Sequence, residues 1–310
     1  MADTYKHLYG PVPSRRLGLS LGVDIMPHKV CTLDCVYCQI GRTTNVTIDR
    51  KAYLPAGPIL KELERKIAAG LEADFITMAG SGEPTLNSDL GVLIDGTKAM
   101  TDIPVTVLTN GTLLYRPDVR ADCAKADVVL PSLDAGDEVT FQKMNRPHRD
   151  INIEMLVDGI STFRKEFDGQ LWLEVFVVAP LNTDSEQVVK IGKYIERIQP
   201  DKIHLNTAVR PTAEPNIERL DISTLEAISA KLGPTCEIIC DFSQIKESKA
   251  VNAGTQDVLA MLKRRPCSVE DISSGLGIHV NEVLKYITSL QNKGIIRCEQ
   301  RNGHAVFMAN

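Results

Sequence analysis

From about Leu19 onward, short apolar runs alternate with longer amphipathic segments, and this alternation constrains the fold more than any other feature. The strand candidates are Leu19–Ile25, Phe75–Ala79, Val105–Thr109, Val128–Leu133, Leu171–Val178 and Ile203–Thr207. They are rich in Val, Ile and Leu without strict polar alternation, as expected of strands buried on both faces. Helical periodicity marks Gly57–Ala69, Ile151–Glu166 and Asp184–Ile198 between them. Six such units predict an α/β fold, a parallel sheet with covering helices. Six fall short of the eight that close a (β/α)8 barrel, so the expected architecture is an open, partial (β/α)6 barrel.

Ligands in such sheets sit outside the carboxyl ends of the strands. The strand candidates are followed there by Cys31–Cys38, Gly80-Ser81-Gly82-Glu83-Pro84, Thr109-Asn110-Gly111, Ser132-Leu133-Asp134, Pro180-Leu181-Asn182 and Thr207-Ala208-Val209-Arg210-Pro211. Loops are ordinarily polar, but six consecutive strand ends carrying potential ligands point to one shared site. A seventh strand is expected over Thr235–Phe242, which carries Cys236 and Cys240 as packing residues.

Residues 1–250 are expected to form this domain and 251–310 a second, smaller one. Thr255–Leu262 has a helical pattern. Ser268-Val269-Glu270-Asp271 reads as a capping box opening a helix that Gly277 ends. Asn281–Gln291 is a further amphipathic helix with Val283, Leu284, Ile287 and Leu290 on its apolar face. Gly294-Ile295-Ile296 and Ala305-Val306-Phe307 then read as strands joined at Asn302-Gly303, a hairpin turn signal. The combination predicts a winged helix-turn-helix. Its polar side, with His279, Asn281, Lys285, Thr288, Ser289, Gln291, Asn292 and Lys293, and its wing, with Arg297, Arg301 and His304, are candidate nucleic-acid or protein contacts.

Composition bounds the rest. Of the 310 residues, 43% are hydrophobic and 24% charged, the balance of a globular chain with a sizeable core. No apolar run reaches membrane-spanning length, and MADTYKHLYG lacks the design of a secretion signal, so the expectation is a cytoplasmic protein with no membrane partner. Net charge is −5, yet residues 1–51 hold seven Lys/Arg against four acids, and 255–310 seven against five. Both ends are mildly basic on an acidic chain.

Eight cysteines are too sparse for a disulfide scaffold. Three fall in Cys31-Thr-Leu-Asp-Cys35-Val-Tyr37-Cys38, spaced C-x3-C-x2-C. Iron–sulfur clusters are usually held by four thiolates, and three from one loop leave an iron open to a ligand such as a methionine amino and carboxylate pair. Half a zinc site, with His28 as the nearest further ligand, and a redox pair are the competing readings of the spacing. Cys267 and Cys298 are expected to be packing residues.

C-x3-C-x-aromatic-C after a first strand matches the signature of the radical S-adenosylmethionine (SAM) superfamily, with Tyr37 as the aromatic residue. Gly80, Ser81, Gly82 and Glu83 resemble that family's glycine–glutamate motif, which meets the methionine amino group; Ser81 departs from the commoner Gly. Thr109 and Asn110 resemble its third-strand motif, and Ser132 and Asp134 its fourth-strand contacts to the SAM ribose or carboxylate. The opening Tyr9–Gly18 and Ser20–Asp24 segments, Met144-Asn145-Arg146-Pro147 and Leu205-Asn206-Thr207-Ala-Val-Arg210-Pro211 resemble a subgroup related to the wyosine-base tRNA synthases. No cysteine precedes Cys31, so the resemblance is to a single-cluster member.

The resemblance implies a [4Fe–4S] cluster on Cys31, Cys35 and Cys38, and SAM held by the motif residues with Asn206 and Arg210. It also implies a one-electron reductant of the flavodoxin or ferredoxin type. The expected activity is SAM cleavage to a 5′-deoxyadenosyl radical that takes hydrogen from a substrate, an RNA (tRNA) base. A protein or peptide substrate is the alternative; a non-catalytic iron–sulfur DNA-binding regulator is a third reading, against which stand Gly80–Glu83 and the polar strand ends. Arg15, Arg16, Arg146 and Glu174 are further candidates for substrate or SAM contact, Glu174 because an inward carboxylate needs a partner. His148 and His204 are expected to be solvated or core histidines.

Overall fold

The computed structural model describes residues 5–209, 212–239, 254–301 and 304–310. The chain runs β1 (Leu8–Ser14), β2 (Gly18–Asp24), the two-residue β3 (Val30–Cys31) and β4 (Asn45–Val46), α1 (Ala56–Ala68), β5 (Phe75–Ala79), a 3-10 turn at Pro84–Leu86, α2 (Leu90–Lys98) and β6 (Val105–Leu108). It continues through α3 (Pro117–Cys123), β7 (Val128–Leu130), α4 (Glu138–Met144), α5 (Ile153–Glu166), β8 (Gln170–Val177), α6 (Ser185–Ile198), β9 (Lys202–Thr207), α7 (Ile222–Leu232) and β10 (Cys236–Ile238).

One sheet takes the order β1-β2-β5-β6-β7-β8-β9-β10. Every neighbouring pair from β2 onward is parallel, with Leu21 opposite Ile76, Met78 opposite Val107 and Val175 opposite Leu205. This is the expected α/β partial barrel, its six strands joined at one edge by the short seventh. Ile76, Met78, Val107, Val129, Leu173 and Val175 are fully buried in the main core. On the other face Leu17, Val128, Leu130, Phe75, Leu108 and Trp172 form a separate apolar cluster, so the strands are covered on both sides. Asp137, Asn152, Asp184 and Asp221 each accept the backbone N–H three residues on, which caps α4 to α7.

β1 was not among the expected strands. It holds Pro11 and Pro13 and pairs antiparallel with β2 at the sheet edge, where a missing N–H is tolerated.

Beyond residues 240–253, which include Cys240 and the expected 250/251 boundary, the chain forms α8 (Thr255–Arg264), α9 (Val269–Leu276), α10 (Val280–Asn292) and an antiparallel pair, β11 (Ile296–Arg301) and β12 (His304–Ala309). Asn302 and Gly303, between those strands, lie outside the described residues. Ser268 Oγ accepts the Asp271 amide at 3.1 Å and Asp271 returns the bond to the Ser268 amide at 3.0 Å, the expected capping box. Gly277 ends α9 in the left-handed conformation at φ 64°. Val258, Leu262, Ile272, Val283, Ile287, Leu290 and Phe307 form a core of their own, against which Val12 of β1 packs.

Two expectations are corrected here. Leu284 is 44% exposed, because the buried seam of α10 follows Val283, Ile287 and Leu290, and Leu284 sits about 100° away from Val283. Cys298 is exposed rather than packed, whereas Cys267 is fully buried. Among the described residues no helix is long and apolar enough to cross a membrane.

Candidate active site

Two loops at the carboxyl ends of β2 and β5 are joined rung by rung. The Lys29 amide donates to Ser81 O at 2.6 Å and the Glu83 amide to Val30 O at 3.0 Å. Gly82 has no room for a side chain: a Cβ there would overlap the Val30 carbonyl. The glycine loop is therefore clamped directly beside Cys31.

The three cysteines are free and half-buried. Each sulfur has a side-chain N–H beside it: Asn110 Nδ2 lies 3.5 Å from Cys31, Asn145 Nδ2 3.6 Å from Cys35, and Lys29 Nζ 3.3 Å from Cys38. Burial first, then the charge of Glu83, pushes the Cys31 thiol up to about 12; burial also pushes Cys35 well up. Both are thiols in the metal-free chain, and binding iron releases their protons. Three unpaired sulfurs from one loop, each held by its own donor, suit a cluster with one iron left open.

Glu83 is buried, and its carboxylate is largely consumed within the protein. Oε1 accepts the Thr85 amide (3.0 Å), the Thr85 hydroxyl (2.7 Å) and the Thr109 hydroxyl (2.5 Å), and Oε2 accepts the Asn110 amide (2.8 Å). Burial raises its carboxyl, and these donors partly offset that. It binds the end of β5 to the end of β6 and has capacity for about one more donor. Thr109 and Asn110 are likewise turned to Glu83, Cys31 and Thr32.

Asp134 faces the cysteine loop. Its Oδ1 accepts the Phe176 amide at 2.8 Å; Oδ2 accepts the Tyr37 hydroxyl and, at 3.1 Å, Asn145 Nδ2. Burial raises its carboxyl to about 6. Tyr37 stacks on Phe176 with ring centroids 4.4 Å apart. Asn145 also donates to the Tyr37 hydroxyl at 3.0 Å, while its buried Oδ1 has no partner among the described residues. The motif Met144–Pro147 was singled out in the sequence, but not that its Asn145 would reach Cys35. Ser132 pairs by its backbone with Glu174.

Asn206, next to the carboxyl end of β9, and Glu174 of β8 are joined to the two arginines of the β1–β2 turn. Arg16 Nη1 lies 2.5 Å from Glu174 Oε2, Arg15 Nη1 donates to Asn206 Oδ1 at 3.1 Å, and Asn206 Nδ2 donates to Glu174 Oε1 at 2.9 Å. Burial opposes the charge of Glu174, but Arg16, Asn206 and Arg15 outweigh it and hold its carboxyl below the usual range. The two arginines are thus neither an exposed loop nor free for an anion. They come from the β1–β2 turn and cross the concave face, a contact between residues 158 apart that no local pattern announces. His204, opposite Glu174 in the sheet, lies edge-on to Trp172, and burial first, then Arg16, lowers it to about 4. It is the core histidine expected. Arg146 pairs with Glu214 at 2.7 Å, and Arg210 lies outside the described residues.

A half-open barrel whose first loop offers three cysteine sulfurs beside a glycine loop defines a class: enzymes that place a metal cluster and a small cofactor at the strand ends. A model of the radical SAM superfamily matches residues 25–217, and the chain belongs to that superfamily. It is 36% identical over 224 residues to a UPF0026 protein of Methanocaldococcus jannaschii (72% of this chain, 70% of that one) and 39% identical over 215 residues to one of Synechocystis (68% and 78%). A protein of Brachyspira hyodysenteriae named GTPase Obg is 36% identical over 308 residues; this chain spans 45% of its length.

Among solved structures the fold resembles TYW1 with a lysine–pyruvate adduct bound (TM-score 0.52, 19% identity, 69% of this chain and 72% of that one). It also resembles a radical SAM methyltransferase from Sphaerobacter thermophilus (TM-score 0.51, 16% identity, 71% and 66%). The protein is accordingly a radical SAM enzyme that uses a [4Fe–4S] cluster and SAM.

Proposed function

We propose that this enzyme acts on an RNA base, in tRNA, as a single-cluster relative of the wyosine-base synthases, with residues 251–310 as a winged helix that holds the substrate. The observation that carries this reading is a cavity of about 850 Å³ between the β1–β2 hairpin and α8. Seven Lys/Arg line it against two aspartates, Asp24 and Asp257, and it reaches Gly80 and Ser81. With Arg15, Arg16 and Arg264 engaged by Asn206, Glu174 and Asp24, the cations left facing a substrate are Lys6, Lys66, Lys263 and Arg265. On a chain of net charge −5, such concentration suits a phosphate-bearing substrate.

The chemistry the bound cofactors would supply is reductive cleavage of SAM coupled to removal of a hydrogen atom from the substrate. Cys31, Cys35 and Cys38 would hold the cluster. Gly80, Ser81 and Gly82 would receive the methionine end of SAM through the backbone of the loop, and Glu83 Oε2, which accepts only the Asn110 amide, would take one N–H of its ammonium. The Asn145 Oδ1 atom and the Ser132 hydroxyl are the further polar groups this reading assigns to SAM. Tyr37 and Phe176 exclude water from the Cys35 side, and Asp134 orients Tyr37. Electrons would come from a flavodoxin- or ferredoxin-type donor in the reducing cytoplasm. The activity named for the Brachyspira relative is not carried over, because the chain contains no G-x-x-x-x-G-K-[ST] phosphate loop.

The test has two stages. Anaerobically reconstituted protein with SAM and a reductant should release 5′-deoxyadenosine, and a Cys35→Ala variant should not. Digested tRNA from cells with and without the gene should then differ in at least one modified nucleoside by mass spectrometry. An unchanged nucleoside profile would overturn the RNA assignment and favour a protein or peptide substrate.

A further inference from the structure

Asp24 ends β2 directly under the glycine loop. Its Oδ1 accepts the Ser81 amide at 3.0 Å, and its Oδ2 accepts the Ser81 hydroxyl at 2.6 Å. The same Oδ2 receives Nη1 of Arg264 at 3.1 Å, from the last turn of α8. The Arg264 guanidinium lies over the Tyr9 ring, 3.6 Å from its centroid. That ring in turn fills the space above Gly22, where a Cβ would overlap it. Both partners of the ion pair are largely shielded, with side-chain exposures of 22% and 14%.

A carboxylate that fixes Ser81 is therefore shared with a cation from the C-terminal unit, 240 residues further along the chain. Ser81 passes the connection on through its carbonyl to the Lys29 amide and so to the cysteine loop. Gly80 and Gly82 lack side chains to restrain their backbone, so the loop depends on such external anchors.

We infer that Arg264 is a positioning residue for SAM: through Asp24 it holds Ser81 in its binding conformation, and it makes the C-terminal unit part of the SAM site. The inference rests on the reading of Gly80–Glu83 as the SAM loop. It carries a corollary for the proposed substrate domain. A substrate that displaces α8 alters SAM affinity, and SAM alters substrate affinity by the same factor.

The full-length protein tests this with two readouts. The first is SAM affinity of the reconstituted protein by anaerobic calorimetry. The second is amide hydrogen exchange of the peptide spanning Gly80–Thr85 in the metal-free chain, which needs neither cofactor nor activity. Arg264→Met should weaken SAM binding by about 10-fold, the scale of one charge-assisted hydrogen bond, and speed exchange in that peptide with iron content unchanged. Arg264→Lys, which keeps the charge but not the fork, should stay within about 3-fold of the parent protein.

Ser81→Ala separates the two readings. If it weakens SAM binding and Arg264→Met does not, the positioning role is overturned. If neither does, the SAM-loop reading itself fails. Should Arg264→Met loosen α8 as a whole, the lysine variant decides: affinity as poor as that of the methionine variant, with α8 and the Gly80–Thr85 peptide unchanged in exchange, overturns the role.

Discussion

Lys29 Nζ lies 3.3 Å from Cys38 Sγ, and Lys29 is itself only 4% exposed, with its backbone in the left-handed region at φ 60°. A buried ammonium beside a cluster thiolate stabilises the more negative, reduced state. Lys29→Met should therefore shift the cluster potential downward by tens of millivolts, on the order of 60 mV per 1.4 kcal/mol for one electron. Redox titration followed by electron paramagnetic resonance checks this. An unchanged potential would show that the lysine only packs.

Asn145 donates one amide to three acceptors, Cys35, the Tyr37 hydroxyl and Asp134. Asn145→Leu leaves those buried acceptors short of a donor, at about 1–3 kcal/mol. The expected outcome is a lower urea midpoint for the metal-free chain and less iron retained after reconstitution. Retention of both at parent levels would remove Asn145 from the cluster's support.

The Arg16–Glu174 pair joins the β1–β2 turn to β8 at 2.5 Å with both side chains mostly buried. Glu174→Leu alone strands a cation, and the expected loss is about 2–4 kcal/mol after allowing for partial exposure. Arg16→Met combined with Glu174→Leu should recover most of it, because two apolar side chains then replace two charges. A double-mutant cycle by chemical denaturation gives the coupling, and additive losses would mean that the pair contributes nothing as a pair.

His204 gives the fold a pH dependence of definite sign. Its folded value is lowered to about 4 by burial and Arg16, against about 6.5 in the unfolded chain. Between these values the unfolded state binds the extra proton, so its contribution is complete above pH 6.5 and is lost as pH falls toward 4. His204→Leu removes the titrating group together with an Nδ1 that has no partner in the structure. The variant should lose about 2–3 kcal/mol less than the parent between pH 7 and pH 4.5. Parallel stability curves for the two proteins would contradict this.

Most of the sheet was legible because strand and helix periods are local. Gln170–Val177 and Phe75–Ala79 lie within one residue of the runs read from apolar content alone. The cysteine spacing likewise needed no tertiary information. β1 was hidden because two prolines argue against a strand, and only its place at the edge of the sheet makes them harmless.

Side-chain roles were less legible. Glu174 was recognised as a carboxylate that needed a partner, but that partner, Arg16, lies 158 residues away in the chain. Asn206 and Asp134 carried the expected polarity at strand ends, yet both spend their hydrogen bonds on protein groups. Lys29 and Arg264 had no sequence signal at all.

By itself the sequence determined the parallel α/β architecture, the cysteine loop and the glycine loop, because backbone periodicity and motif spacing depend on neighbours a few residues apart. Only the tertiary structure decided which polar group meets which. Lys29 at Cys38, Asn145 at Cys35, Arg16 at Glu174 and Arg264 at Asp24 are buried polar contacts set by where distant strands and helices converge. In such surroundings each donor takes whatever acceptor lies within reach, and reach is a property of the folded chain.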